Sequence, residues 1–349
     1  MSEHKIEDRD EGLELARRMA EEEEGIGRRP HGPVRWVIPS ICVVWSLFQL
    51  SIASWLIMDT MFIRAIHLGF ALLVVFLNFP MFKKPLLGLK YLAAKDRIPI
   101  LDFAMALIAC FAALYIALDF ESMTTRLGQP ITRDVVIGLA LVVFLLEASR
   151  RVIGPALPVI AGAFIVYSFA GPYMPDLIAF KGTSMNRFVG QMTMSTAGIY
   201  GIPLDVSATI VFLFVLFGSM LDKAGAGQYF IRLALSLLGG FKGGPAKAAV
   251  MGSGLTGLVS GSSIANIVTT GTFTIPLMKK VGYPAKKAAA VEVAASTDGQ
   301  LAPPIMGAAA FIIAEYVNVP YVDVIKAVSY THLRAHETVR WISYAVFCL

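Results

Sequence analysis

From Val34 onward, long apolar runs alternate with short polar stretches, and most runs are close to the length that crosses a bilayer. The pattern predicts spans at Val34 to Met58, Thr60 to Phe79, Ile100 to Leu118, Asp134 to Ser149, Pro155 to Pro172 and Pro203 to Leu221. About 20 helical residues cover a hydrocarbon core of roughly 30 Å. The expected fold class is therefore an all-α polytopic membrane protein. The first four spans read as two hairpins joined by the basic loop Phe82 to Ile98, without interruption, as a scaffold would. Residues 1–33 carry no apolar core and read as a charged cytoplasmic tail rather than a cleaved leader.

After the sixth span the pattern changes. Gly252 to Asn266 (GSGLTGLVSGSSIAN) and Ser296 to Gly307 (STDGQLAPPIMG) interrupt apolar sequence with small and polar residues expected to unwind a helix. Unwound backbone at membrane depth survives only inside protein or beside a polar cavity. In secondary transporters such breaks point to the site for substrate and coupling ion. In the first break, glycines allow close backbone approach, and Ser260, Ser262, Ser263 and Asn266 offer short oxygen ligands and donors. In the second, Pro303 and Pro304 remove backbone donors, so freed carbonyls near Thr297 to Ala302 become ligands. Asp298 is the one acidic residue this reading places near mid-membrane beside a break, where a cation partner would offset its charge. Close helix packing through small residues is the competing account of the glycines.

Composition agrees: 56% of residues are hydrophobic and only 16% charged, with mean hydropathy +0.67, against about 25% charged in soluble domains. The net charge of +5 does not signal nucleic acid, because the basic residues sort by membrane side instead of forming a patch. With the N-terminus cytoplasmic, the inner loops collect most lysines and arginines. Lys247 and Lys279 then flank the first break on one side, which makes that segment a re-entrant hairpin. Arg64, Glu147, Arg150 and Arg151, near span ends, are expected to snorkel, and His67 to be a packing histidine. Tyr173 to Ile202 reads as a polar outer loop or a short packed helix with turns, and Gly225 to Lys242 as an interfacial helix. The three cysteines have no metal or disulfide spacing, and no phosphate-binding loop or nucleophile elbow is present, so no enzyme activity is expected.

The stretches GSGLTGLVSGSSIANIVTTGTFTIPLMKKVGYP and AASTDGQLAPPIMGAAAFIIAEYVNVPYVDVIKA resemble the large permease of the tripartite ATP-independent periplasmic (TRAP) transporters. The four plain spans ahead of them resemble the fused small and large form, and AAAFIIAEY the TAXI-type branch. The resemblance implies a four-helix scaffold followed by the first half of an inverted-repeat elevator domain with a re-entrant hairpin and a broken helix. It implies import of a small organic anion, driven by Na+ as coupling ion and delivered by an extracytoplasmic solute-binding protein, in a bacterial or archaeal cytoplasmic membrane. By motif, Ser260, Gly261, Ser262, Ser263 and Asn266 are the expected hairpin-tip ligands, faced by Thr297, Asp298, Gly299, Pro303 and Pro304. Sodium is expected on Ser260, Gly261, Asn266, Thr297, Asp298 and Gly299, and substrate on Ser260, Ser262, Ser263, Asn266, Pro303 and Pro304. Many relatives carry glycine where Asp298 stands. The expected domains are 1–33 tail, 34–152 small-permease-like region, 153–328 first half of the large permease, and 329–349 a non-native read-through tail on a C-terminally truncated chain. Two alternatives stay open, a sodium/anion symporter that needs no binding protein and a non-transporting membrane scaffold.

Overall fold

A computed structural model describes residues 27–28, 30–82, 97–126, 129–260, 263–299 and 307–328. Residues 1–26 and 29 of the expected N-terminal tail, the expected tail at 329–349, and Gly261, Ser262, Pro303 and Pro304 lie outside the described residues, while Arg28 of the N-terminal tail is buried rather than solvated as expected. Every regular element among those residues is helical, and the chain divides into two compact units that meet in sequence between Thr209 and Ile210.

The first unit contains α1 (Val37–Ser54), α2 (Thr60–Asn78), α3 (Ile100–Leu118), the short α4 (Phe120–Thr125), α5 (Thr132–Val152), α6 (Ala156–Ala170), α7 (Met185–Thr193) and α8 (Ile202–Val206). Its centre is the α2–α3 pair. Small residues Ala106, Ala109 and Ala113 on α3 lie in one buried cluster with Leu68, Leu72 and Phe76 of α2. The approach is close: a Cβ on Gly69 would sit 3.3 Å from Cys110 Sγ. Small residues let helices approach where lipid supplies no hydrophobic drive to association. The opposite faces stay apolar yet uncovered, with Val43, Leu47, Leu107, Phe111, Val143, Ile160 and Phe164 all exposed. Exposed apolar side chains along whole helices are what a lipid solvent requires.

Among the described residues, five helical segments are long and apolar enough to cross a membrane, namely Val34–Ser54, Thr60–Asn78, Ile100–Leu118, Ala156–Tyr173 and Ile202–Leu221. The fourth expected span, α5, is long enough at 21 residues but carries charges at both ends, and those charges are paired. At one end Asp134 accepts hydrogen bonds from Tyr115 Oη, Arg126 Nη1 (2.8 Å) and the Ile131 backbone N–H (3.0 Å), so it also caps the helix. At the other end Arg151 does not snorkel. It is buried, with Nη1 2.8 Å from Asp102 and Nε 2.8 Å from Glu147. Arg28 closes on the other oxygen of Asp102 and donates to the carbonyls of Phe76 and Leu77. A carboxylate with two guanidinium partners avoids the cost of an uncompensated buried charge, which explains why these arginines turn inward.

The expected outer loop takes the packed form, with Phe188 and Val189 of α7 buried beside Val142. His67 is buried and packs as expected, against Gln49, Trp45 and Ser207. Immediately after α8 the backbone widens into a π-turn at Ser207–Val211.

The second unit contains α9 (Phe212–Lys223), α10 (Ala226–Leu238), α11 (Gly244–Ser260), α12 (Ser263–Lys280), α13 (Ala285–Gly299), α14 (Gly307–Val317) and a final helix α15 over 321–328. Rather than standing as an isolated interfacial helix, α10 lays its buried Gly227, Ile231 and Ala234 face along α11. The stack of Phe311 on Tyr321, with centroids 4.2 Å apart, joins α14 to α15.

Candidate functional site

The hairpin is built by α11 and α12. Ser253 lies 3.3 Å from Thr270, and the Asn266 amide donates to the Ser253 carbonyl at 2.9 Å, so residues pair antiparallel about a tip at 261–262. Lys247 and the pair Lys279–Lys280 fall near the same end of the hairpin, as the charge pattern requires. The α12 helix ends in a left-handed Gly282 (φ +100°), where Tyr283 N–H bonds back to Met278 O at 3.1 Å, and α13 follows.

One expectation is corrected here. Gly252, Gly254 and Gly257 do not unwind the helix, because α11 continues through them to Ser260. At Gly252 and Gly257 the smallness serves packing, whereas a Cβ on Gly254 would meet open space. A Cβ on Gly252 would lie 3.1 Å from the Ile231 Cα, and one on Gly257 would lie 3.0 Å from the Gly299 Cα. The close-packing account therefore holds for Gly252 and Gly257, and residues 261–262 lie outside the described residues. In the second segment, helix is described up to Gly299 and again from Gly307.

Gly257 brings two candidate residues together, since its Cβ position is also 3.2 Å from Asn266 Nδ2. Asn266 is 1% exposed. Its Nδ2 donates to the carbonyl and hydroxyl of Ser253, at 2.9 and 3.2 Å. A carbonyl can only accept, so the amide orientation is fixed and the carboxamide oxygen points the other way. Among the described residues, Asn266 Oδ1 is the buried side-chain oxygen that no donor reaches. Gly299 is buried against Gly254 and Gly257, on the same side as Asn266.

Thr297 and Asp298 lie on the exposed face of α13, and Thr297 Oγ1 donates to Val293 O in its own helix (2.8 Å). Ser260 closes α11, and Ser263, half-buried, opens α12.

The acid that the sequence reading missed is Glu292. It is fully buried between α11, α12 and α13, whereas Asp298, the acid expected inside, is exposed. Four hydroxyls converge on Glu292: Ser253 at 2.8 Å, Thr274 at 2.5 Å, Ser296 at 3.2 Å, and Thr270. Ser253 links the two halves of the site, bonding Glu292 on one side and Asn266 on the other. The signal was present in the spacing. Ala288, Glu292, Ala295, Ser296 and Gly299 recur at helical intervals and form the buried stripe of α13, and an acid on such a stripe faces protein.

Residues 140–329, more than half of the chain, match the model of the DctM component of the tripartite ATP-independent periplasmic transporter. The chain belongs to this family. The hairpin and Glu292 both lie within the matched TRAP segment. Among similar proteins, the C4-dicarboxylate TRAP transporter large permease protein DctM of Vibrio cholerae is 29% identical over 161 residues, covering 46% of this chain and 32% of that protein. The DctM protein of Rhodobacter capsulatus is 29% identical over 158 residues, covering 42% and 34%. The isethionate TRAP transporter permease protein DctMQ of Oleidesulfovibrio alaskensis is 28% identical over 213 residues, covering 55% and 32%. The chain thus spans about a third of the length of these relatives. No solved structure matches it.

Proposed function

We propose that this TRAP-family chain is part of the permease of a sodium-coupled, binding-protein-dependent importer of a small organic anion. In this reading it is part of a fused TAXI-type permease in a cytoplasmic membrane, N-terminus inside, with the second unit belonging to an elevator that carries the site across the bilayer. The observation that supports it most is Asn266. A fully buried carboxamide oxygen, fixed outward by its own amide and lacking a donor, is an unmet acceptor of the kind a small hard cation fills. Sodium also suits its neighbourhood, since the C-terminal end of α11 at Ser260 and the N-terminal end of α12 at Ser263 flank the same short connection, and helix-end carbonyls favour a cation and amides an anion. The amides would receive a carboxylate, and the carbonyls and Asn266 Oδ1 the cation. Ser262, Pro303, Pro304 and the carbonyls near Gly299 complete the proposed lining.

The test is sodium-dependent protection against thermal unfolding, with choline as the control ion. A ligand bound to the folded state alone adds about 2.7 kcal/mol at a hundredfold excess over its Kd. Sodium is expected to raise the unfolding temperature of the parent and not of N266A. Equal behaviour of sodium and choline in the parent would remove the cation site.

A further inference from the structure

The Glu292 carboxyl is used by nothing in the reading above. We infer that Glu292 is a proton-binding site, a carboxyl in a cage of hydroxyls that supports it with or without its proton. The inference stands on the cage, and does not need the sodium site to be correct.

Of the three buried carboxyls among the described residues, Asp102 and Asp134 are paired with arginine and Glu292 is not. Asp102 sits between Arg28 and Arg151, whose guanidinium groups donate and cannot accept, so that arrangement serves the ionised form alone. Glu292 has no such partner among the described residues. The helices packed against it are α11 and α12, and their charged groups Lys247, Lys279 and Lys280 are exposed. On its own helix, Lys286, Lys287 and Asp298 are exposed as well. Among the described residues, the side chains that bond it are all hydroxyls.

A hydroxyl both donates and accepts, so each charge state can be satisfied. With the carboxyl ionised, Ser253, Thr270 and Ser296 donate to Oε1, and Thr274 donates to Oε2. When a proton arrives, those donors need other acceptors, and the acceptors are already in place. Thr270 Oγ1 lies 2.7 Å from the Asn266 carbonyl, and Thr274 Oγ1 lies 3.1 Å from the Thr270 carbonyl. Ser253 and Ser296 are 2.8 Å apart and can bond each other. The released hydroxyl oxygens then accept the acid proton. Binding forms one carboxyl O–H bond at the expense of one proton from water, and no other covalent bond changes. A charge this fully buried is expensive unless hydrogen-bonded, so the cost of ionising Glu292 is met by the hydroxyls alone.

The experiment is infrared difference spectroscopy of the 349-residue chain in lipid nanodiscs, across the pH range in which its circular dichroism stays helical. The difference is taken between the parent and E292Q. The parent is expected to show a carboxylic C=O band, shifted in deuterium oxide, that converts to carboxylate bands as pH rises, at one group per chain and in choline as in sodium. T274V, which deletes a donor to the ionised form, is expected to keep the C=O band to higher pH than the parent. Because T274V retains the carboxyl, its spectrum against the parent serves if E292Q does not fold. A carboxylate at every pH, including one that responds only to sodium, overturns the proposal. A C=O band indifferent to pH, or a T274V profile identical to the parent, overturns it equally.

Discussion

Gly299 shows how little room the site has. Its Cβ position is 2.9 Å from the Gly254 carbonyl oxygen and 2.9 Å from the Gly257 Cα, both backbone atoms that cannot rotate aside. Gly299→Ala is therefore expected to separate α13 from the hairpin and to cost about 1–3 kcal/mol, the usual range for overpacking. Unfolding of the purified chain in detergent measures this, and an unchanged midpoint would contradict the close approach. At this scale the sequence was a partial guide. Asn266 was legible because its short amide stands beside a Ser/Gly run. Glu292 was not, because it lies before the expected break at Ser296 to Gly307, whereas Asp298 stands within it and nearer a proline pair but on the exposed side of the same helix. Which side an acid takes is set by the buried stripe, and that stripe runs through residue 292, six positions before Asp298.

Helices were far more legible than side-chain roles. Hydropathy located the spans because each must exceed the thickness of a hydrocarbon layer, a requirement that single residues barely perturb. It could not foresee that charged helix ends would be tied together. Arg150 and Arg151, expected to reach for the interface, both bond Glu147, and Arg151 continues inward to Asp102. The four elements joined at Asp102 are the strand of chain at Arg28, the end of α2, the start of α3 and the end of α5. Asp102→Ala is predicted to leave two guanidiniums buried and unpaired and to destabilise the first unit by about 3–5 kcal/mol. Loss of protease resistance in that unit, or failure to purify it folded, is the expected outcome, and a fully stable D102A would show the network to be inessential. The glycines of α11 teach the opposite lesson about elements. Glycine weakens a helix by roughly 1 kcal/mol, yet tertiary contacts with Ile231 and Gly299 hold this one intact through three of them.

Among the described residues the first, scaffold-like unit holds its buried charged groups in ion pairs, and the buried polar groups of the second unit are hydroxyls, an amide and one acid. Locked charge suits a frame, whereas exchangeable hydrogen bonds suit a segment that takes up and releases ligands. That contrast, together with membership of the TRAP family, is why the second unit is assigned the transported ions and the anion. The chain spans only part of its relatives' length, so transport belongs to the intact permease. The measurement that bears most directly on the assignment is uptake of a labelled organic anion into proteoliposomes holding the intact permease, with its solute-binding protein outside. Accumulation is expected only with both the binding protein and an inward sodium gradient, and is expected to be lost in N266A. Accumulation that proceeds without sodium, or that survives N266A unchanged, would contradict the account.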